Sequence, residues 1–351
     1  MVSGFAKRLV VVSAICGLLH AASFPYREVR PDYKYSFPRD HFEHEDFRTE
    51  WWYYTGNVMS AEGARYGFEL VFFRNGERHD ATTKSAWNLQ HGYLAHAALT
   101  DVNGKRFSYE ERLNRQGPGV AGASFAEKKI WNGNWSVVWN GETQTLRAVA
   151  PEFQFQLKLE PEKAFVIHGE NGVSQKSEGL GSASHYVSFP RMRVSGEITA
   201  GGKVNKVAGQ AWMDHEWFSQ YMAQDQTGWD WFSIQLDDHT ELMLVQLRRK
   251  DPKLPPYTFG TFVGADGKSR HLKSTEFQLT PVAKAGVYPI EWRIQVPSAH
   301  LDLKCKAVLP NQELKARQGG VSYWEGAVDY SGSRKGYGYL EMTGSNSTLK
   351  L

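Results

Sequence analysis

Phe153-Gln154-Phe155-Gln156-Leu157-Lys158-Leu159 alternates apolar and polar side chains one for one. Successive side chains leave a β-strand on opposite sides, so this period of two marks a strand with one face on a core and one in water. Ile290, Trp292, Ile294 and Val296 repeat the pattern, and Tyr66 to Phe73 and Trp131 to Trp139 read as further strands. Between such runs stand the turn pairs Asn103-Gly104, Asn140-Gly141, Gly201-Gly202 and Asp266-Gly267. Long helical periodicity is missing. The chain reads as all-β, with many short strands at the spacing of barrels.

A length of 351 residues exceeds what one small β-domain needs and suggests two domains. Two echoes support this. Glu50-Trp51-Trp52-Tyr53-Tyr54-Thr55 is matched by Asp230-Trp231-Phe232-Ser233-Ile234-Gln235, and Gly209-Gln210-Ala211-Trp212-Met213 by Gly338-Tyr339-Leu340-Glu341-Met342. We expect a polar, proline-punctuated arm over residues 24–46, solvated and charged, and two similar barrels over 47–217 and 218–351, joined near residues 214–228.

The formal charge is only +3, and Lys7 and Arg8 supply two of those positive charges at the extreme N-terminus. No basic stripe follows, which argues against nucleic acid as a partner. Lys7 and Arg8 precede an apolar run from Leu9 to Leu19, and Ala21-Ala22-Ser23 offers small residues for cleavage. Residues 1–23 therefore read as a secretory signal, and the mature protein is expected in the periplasm or outside the cell, beginning at Phe24. A lipid on Cys16 is the rival, disfavoured by Ile15 before it. With Cys16 removed only Cys305 remains, so no internal disulfide can form.

Aromatic residues make up 13% of the chain, with twelve Trp, and they concentrate near the joint. Asp214-His215-Glu216-Trp217 is followed by Gly228-Trp229-Asp230-Trp231. On a strand, Asp214 and Glu216 point one way and His215 and Trp217 the other, while Asp230 opposes Trp229 and Trp231. An acid framed by indoles is desolvated, so its pKa rises and it can hold a proton near neutral pH. We expect His215 and Asp230 to act as a pair in a ligand cavity walled by Trp51, Trp217, Trp229 and Trp231, with Glu50 as the alternative acid. The bland reading, a structural His–Asp hydrogen bond, weighs about the same. His96 and Tyr186 are candidate ligand-facing groups, each equally readable as plain core. His41-x-x-His44 has no partner pair at zinc-like spacing, so no metal site is expected. Neither G-x-S-x-G nor a phosphate-cradling glycine loop occurs.

Several of these stretches resemble one known family. Glu50 to Gly56, Tyr66 to Arg74, Ala95 to Asp101, Ala211 to Trp217 and Gly228 to Asp238 are similar, in order, to the carotenoid 1,2-hydratase and AttH-like lipocalin family. The likeness spans nearly all of the chain after the signal. It implies two tandem lipocalin-like β-barrels, a ligand cavity near their junction, and no metal or organic cofactor. In the hydratases water adds across an isoprenoid double bond by acid catalysis. The residues assigned there match His215, Trp217 and Asp230. Where those enzymes carry a Tyr two residues before the Asp, this chain has Gly228. Its Trp-rich motifs look more like those of exported bacterial members.

Three function classes follow. One is a cofactor-independent hydratase or lyase acting on an apolar, isoprenoid or lipid-like molecule. Another is a non-catalytic carrier or sensor of such a ligand in the cell envelope, with peripheral membrane contact compatible with it. The third is a hydrolase or isomerase using the same carboxylates. A carrier wants few ionisable groups in its cavity, because unpaired buried charge is costly. Acid groups meeting inside the cavity therefore discriminate catalyst from carrier.

Overall fold

The computed structural model describes residues 26–76, 91–179, 181–317 and 322–345. The expected signal lies outside the described residues. Among those residues there is no α-helix, only two short 3-10 turns, Arg39–His41 and Pro297–Ala299. The rest is antiparallel β, in a sheet of 13 strands and a second of 10. These are two lipocalin-like barrels in tandem, the first nearly closed and the second a half-barrel. The first sheet runs from Thr49 to Phe218 and the second from Gln226 to Thr343.

Both sheets share one plan. In each, the opening strand (Thr49–Ser60, Gln226–Leu236) lies between the strand that follows it and the last strand, Lys203–Phe218 or Gly336–Thr343. These paired first and last strands are the segments whose sequences echo each other. Side chains help bring the first barrel's ends together: the buried Asn132 amide donates to the Tyr93 carbonyl at 3.1 Å and accepts from Asn114 at 2.6 Å. Trp131 to Trp139, expected as one strand, is a hairpin of Lys129–Asn132 and Trp135–Asn140. The chain reverses at Gly133, whose φ of +62° suits glycine. Asp214 to Trp217 belong to a strand, so the covalent joint is only residues 219–225.

Even-numbered side chains of Thr49–Ser60, such as Trp52 and Tyr54, fill the first barrel. Odd-numbered Trp51 and Tyr53 pack instead against Trp229 and Trp231 of the second. The opening strands are therefore buried on both faces, which is why their sequence shows no polar alternation. This seam positions the site.

Much of the arm is exposed as expected, but the stretch near its end is not: Asp40, His41, Phe42 and His44 are buried, His41 and His44 at 2% and 5% exposure, and Phe42 joins the first barrel's core. The His44 ring lies flat on Trp217 at 3.9 Å, and the Trp52 indole donates to the His41 carbonyl at 3.1 Å. Glu50 accepts from His44, and the rings of Trp139, Phe165 and Phe189 enclose His41, which a reading of the arm alone could not anticipate.

Candidate functional site

Between the barrels lies a cavity of about 40 Å³, space for a few water molecules. Strand register assembles its wall. Trp51 pairs with Glu216, Tyr53 with Asp214 and Trp231 with Glu341, and paired residues share a face. Tyr186, Tyr221, Trp229 and Tyr323 complete the polar and aromatic lining.

Asp214 is held by three donors. The Tyr186 hydroxyl reaches it at 2.6 Å, the Trp212 indole at 2.5 Å, and Ser188 also donates. The Trp231 indole donates in turn to Tyr186 at 3.0 Å. Behind Ser188 stands His168, with Nε2 2.7 Å from the serine hydroxyl and Nδ1 2.8 Å from that of Thr261. Burial drives His168 down to about 3, so it is neutral. Burial raises Asp214 to about 7, against the pull of its three hydrogen bonds. Two residues along, Glu216 accepts from the Trp51 indole at 3.0 Å and from Ser184, and meets the Lys176 ammonium at 2.7 Å. One strand face thus carries an acid with no cation beside it and another clamped to one.

Three glutamates crowd the far side. Burial, together with the charge of Glu69, raises Glu341 to about 8. Glu69, fully buried, is likewise raised to about 8 and accepts from Tyr323 at 2.8 Å. Glu325 accepts from Tyr53 at 2.7 Å and is pushed well above the carboxylate range by burial and by Glu69 and Glu341. Phenols serve Glu69 and Glu325, and the Trp229 side chain serves Glu341, where a salt bridge would use a cation.

The site residues expected from sequence divide. Trp51, Tyr186, Asp214, Trp229 and Trp231 line the cavity. His96 stands behind it, with Nδ1 2.7 Å from the Tyr323 oxygen. His215, Trp217 and Glu50 face the other way, into the first barrel beneath the arm. His215 Nε2 and His44 Nδ1 each lie 2.7 Å from Glu50 Oε1, and Arg74 Nε is 3.0 Å from Oε2. Asp230 points away from the seam to Gln246, which donates at 2.6 Å, and forms an ion pair with Arg248. The expected His215–Asp230 pair is therefore not formed, and Trp217 walls no part of the cavity. Alternation around Asp214 and Trp229 sends both residues away from the seam, each to its own barrel.

Glu50 is excluded as the acid. Burial alone would raise it, but His44, His215 and Arg74 hold it well below the ordinary range. His44, Glu50 and His215 also bring ligand-type atoms within 4.8 Å of one another. A metal there would face the Arg74 guanidinium already bonded to Glu50, so the donor set suits a buried ion pair better than a cation.

Sequence reading missed Tyr53, Tyr221, Tyr323 and Glu341 and did not place Glu216 in the site. Tyr53 and Glu216 share faces with Trp51 and Asp214, so strand alternation could have found them. Glu341 and Tyr323 carry no local signal; only register brings them in.

The AttH-like family pattern matches residues 28–345. The chain belongs to the AttH-like family. An AttH crystal structure from Nitrosomonas europaea superposes with a TM-score of 0.82 at 31% identity, covering 91% of this chain and 99% of that one. Kievitone hydratase from Nectria haematococca shares the fold, with a TM-score of 0.67, 16% identity and coverage of 92% and 98%. CghA, solved with Sch210972, gives 0.53 at 14% identity, covering 84% of this chain and 88% of that one. No sequence among curated proteins matches this chain.

Proposed function

We propose that this AttH-like protein binds a small unsaturated molecule at the seam between its barrels and adds water to, or removes it from, a carbon–carbon double bond without a cofactor. One observation carries this reading. The Asp214 carboxyl is buried in an indole-walled cavity with no cation bonded to it, and burial raises it to about 7, where it can both hold and release a proton. The Asp214 carboxyl gives its proton to one alkene carbon, and the π electrons form the new C–H bond. Water attacks the cation left on the other carbon, and its surplus proton returns to the Asp214 carboxylate. The net change is alkene plus water to alcohol. Indole faces at Trp229 and Trp231 favour the developing positive charge.

A carrier of apolar ligands gains nothing from burying acids beside them, so the lining favours a catalyst. The solved hydratase of the same fold supports the reaction class by analogy. Export through the N-terminal signal, leaving Phe24 as the first residue, belongs to the same proposal.

Asp214→Asn keeps the shape and removes the acid. Water addition to a panel of small alkenes sized to the cavity, followed by mass spectrometry, should fall at least about 100-fold in the variant. Quenching of tryptophan fluorescence by the same compounds should persist. Full activity in Asp214→Asn would move the acid role to Glu341.

A further inference from the structure

The signs of the groups around the cavity are lopsided. Asp214, Glu216 and Glu341 line it, and among the described residues no Lys, Arg or His does. Directly behind, Glu69 and Glu325 are fully buried, and each keeps one carboxyl oxygen, Oε2, without a hydrogen-bond partner. The neighbouring phenols Tyr53, Tyr186, Tyr221 and Tyr323 are all pushed well above their ordinary value by burial and nearby carboxyls, so they stay neutral. His96 is lowered to about 3 by burial and adds no charge.

The seam already recognises one ammonium. Lys176 Nζ is fully buried, 2.7 Å from Glu216 and 3.0 Å from the Ser174 hydroxyl. It sits 4.4 Å from the ring centre of Phe259, 4.9 Å from that of Tyr221 and 5.0 Å from that of Tyr186. Carboxylate plus aromatic faces is how proteins bind ammonium groups. Lys176 occupies only the Glu216 side. Asp214 and Glu341, with the indoles of Trp229 and Trp231, offer the same chemistry on the other side, and among the described residues no cation forms an ion pair with either.

We propose that the cavity is a cation-binding box whose ligands are small alkylammonium compounds, seated between Asp214 and Glu341. The proposal rests on the cavity being the ligand site and does not require any alkene to turn over. On the hydration reading, the same box steadies the carbocation that follows proton transfer, and an ammonium is its stable counterpart.

The sign with pH follows from the unpaired acids. Burial without a counter-cation keeps Asp214 and Glu341 protonated up to about 7 and about 8. An entering ammonium supplies the missing charge and displaces a proton. Its affinity should therefore rise with pH, by up to about tenfold per unit below those values, and level off above them.

The test compares ethylammonium with ethanol, each of a size the cavity holds, on the intact protein, by calorimetry and tryptophan fluorescence, at about pH 6 and about pH 8. Ethylammonium should bind at least about tenfold tighter than ethanol at the higher pH, release protons on binding and weaken at the lower pH. Glu341→Gln should weaken ethylammonium about tenfold and leave ethanol unchanged. Equal affinity for the two probes, no binding of ethylammonium, or binding indifferent to pH would each overturn the proposal. The wild-type comparison needs no variant, so a misfolded Glu341→Gln does not blunt it. If ethylammonium fails while Asp214→Asn still abolishes turnover, only the cation box is lost; the reverse result removes hydration and keeps the box.

Discussion

Glu50 and Glu69 sit on adjacent strands of the same barrel, both fully buried, and they carry opposite charge behaviour. Glu50 faces inward and meets Arg74, His44 and His215, which hold it ionised. Glu69 faces the seam, meets the Tyr323 phenol, and is raised to about 8 by burial. Burial is the same for both, so the partner decides. In a low-dielectric interior a carboxyl beside a guanidinium becomes structure. The same carboxyl beside phenols stays neutral and remains available for a proton or a cation.

The sharpest way to break this contrast is to remove the cation on the paired side. Arg74 also donates to the carbonyls of His44 and Phe47, at 2.8 Å each, so it ties the arm to the barrel. Arg74→Met should cost about 3–5 kcal/mol, because a buried carboxylate and two carbonyls lose their donor. Urea denaturation measures it. A loss below about 1 kcal/mol would show that Glu50 does not depend on the guanidinium for its charge.

The unpaired side should show in the pH dependence of stability. Between 4.5 and about 8 the folded chain keeps a proton on Glu69 that the unfolded chain has lost. Stability therefore falls as pH rises through that window, by up to about 1.4 kcal/mol per pH unit for each such acid. Glu50 has the opposite sign. Its folded value lies well below 4.5, so its contribution is present above that pH and is lost as pH falls through the folded value. The buried neutral histidines His96 and His168, lowered from 6.5 to about 3, add stability as pH rises toward 6.5 and offset the acids below it, so maximum stability should lie near 6.5. Glu69→Gln should flatten the decline above it, as read from urea midpoints at about pH 6.5 and about pH 8. A wild-type midpoint that does not fall across that range contradicts the assignment of neutral acids to the seam.

The fold was legible because one-faced strands such as Phe153–Pro161 carry period two openly, and because paired first and last strands repeat in sequence. The site was half legible. Alternation correctly separated Asp214 from His215, and Asp230 from Trp229. Parity, however, does not say which of two buried faces meets the other barrel. His215 and Asp230 were close in sequence and chemically suited, yet they face different barrel interiors. Glu69 and Tyr323, 254 positions apart, meet only through docking of the two barrels, a long-range event with no local pattern. The arm misled for a related reason: the rings that enclose His41, Trp139 and Phe189 among them, and the Trp217 indole under His44 come from distant strands.

The smallest effect is expected at the residue whose sequence context promised the most. Asp230 shares its strand with Trp229 and Trp231 but takes the other face, where Gln246 and Arg248 bind it. Arg248 keeps 26% of its side chain exposed, so losing the partner's charge leaves a guanidinium that water can still solvate. Asn at position 230 keeps one of the two hydrogen bonds through its amide oxygen and turns its NH2 toward the other donor. Asp230→Asn should therefore cost about 1–2 kcal/mol of stability. Ligand-induced fluorescence changes and any turnover should match wild type, because no atom of residue 230 lines the cavity. A loss of turnover as deep as that of Asp214→Asn, with folding intact, would show that the barrels rearrange in the working state and bring the far face of Gln226–Leu236 to the ligand.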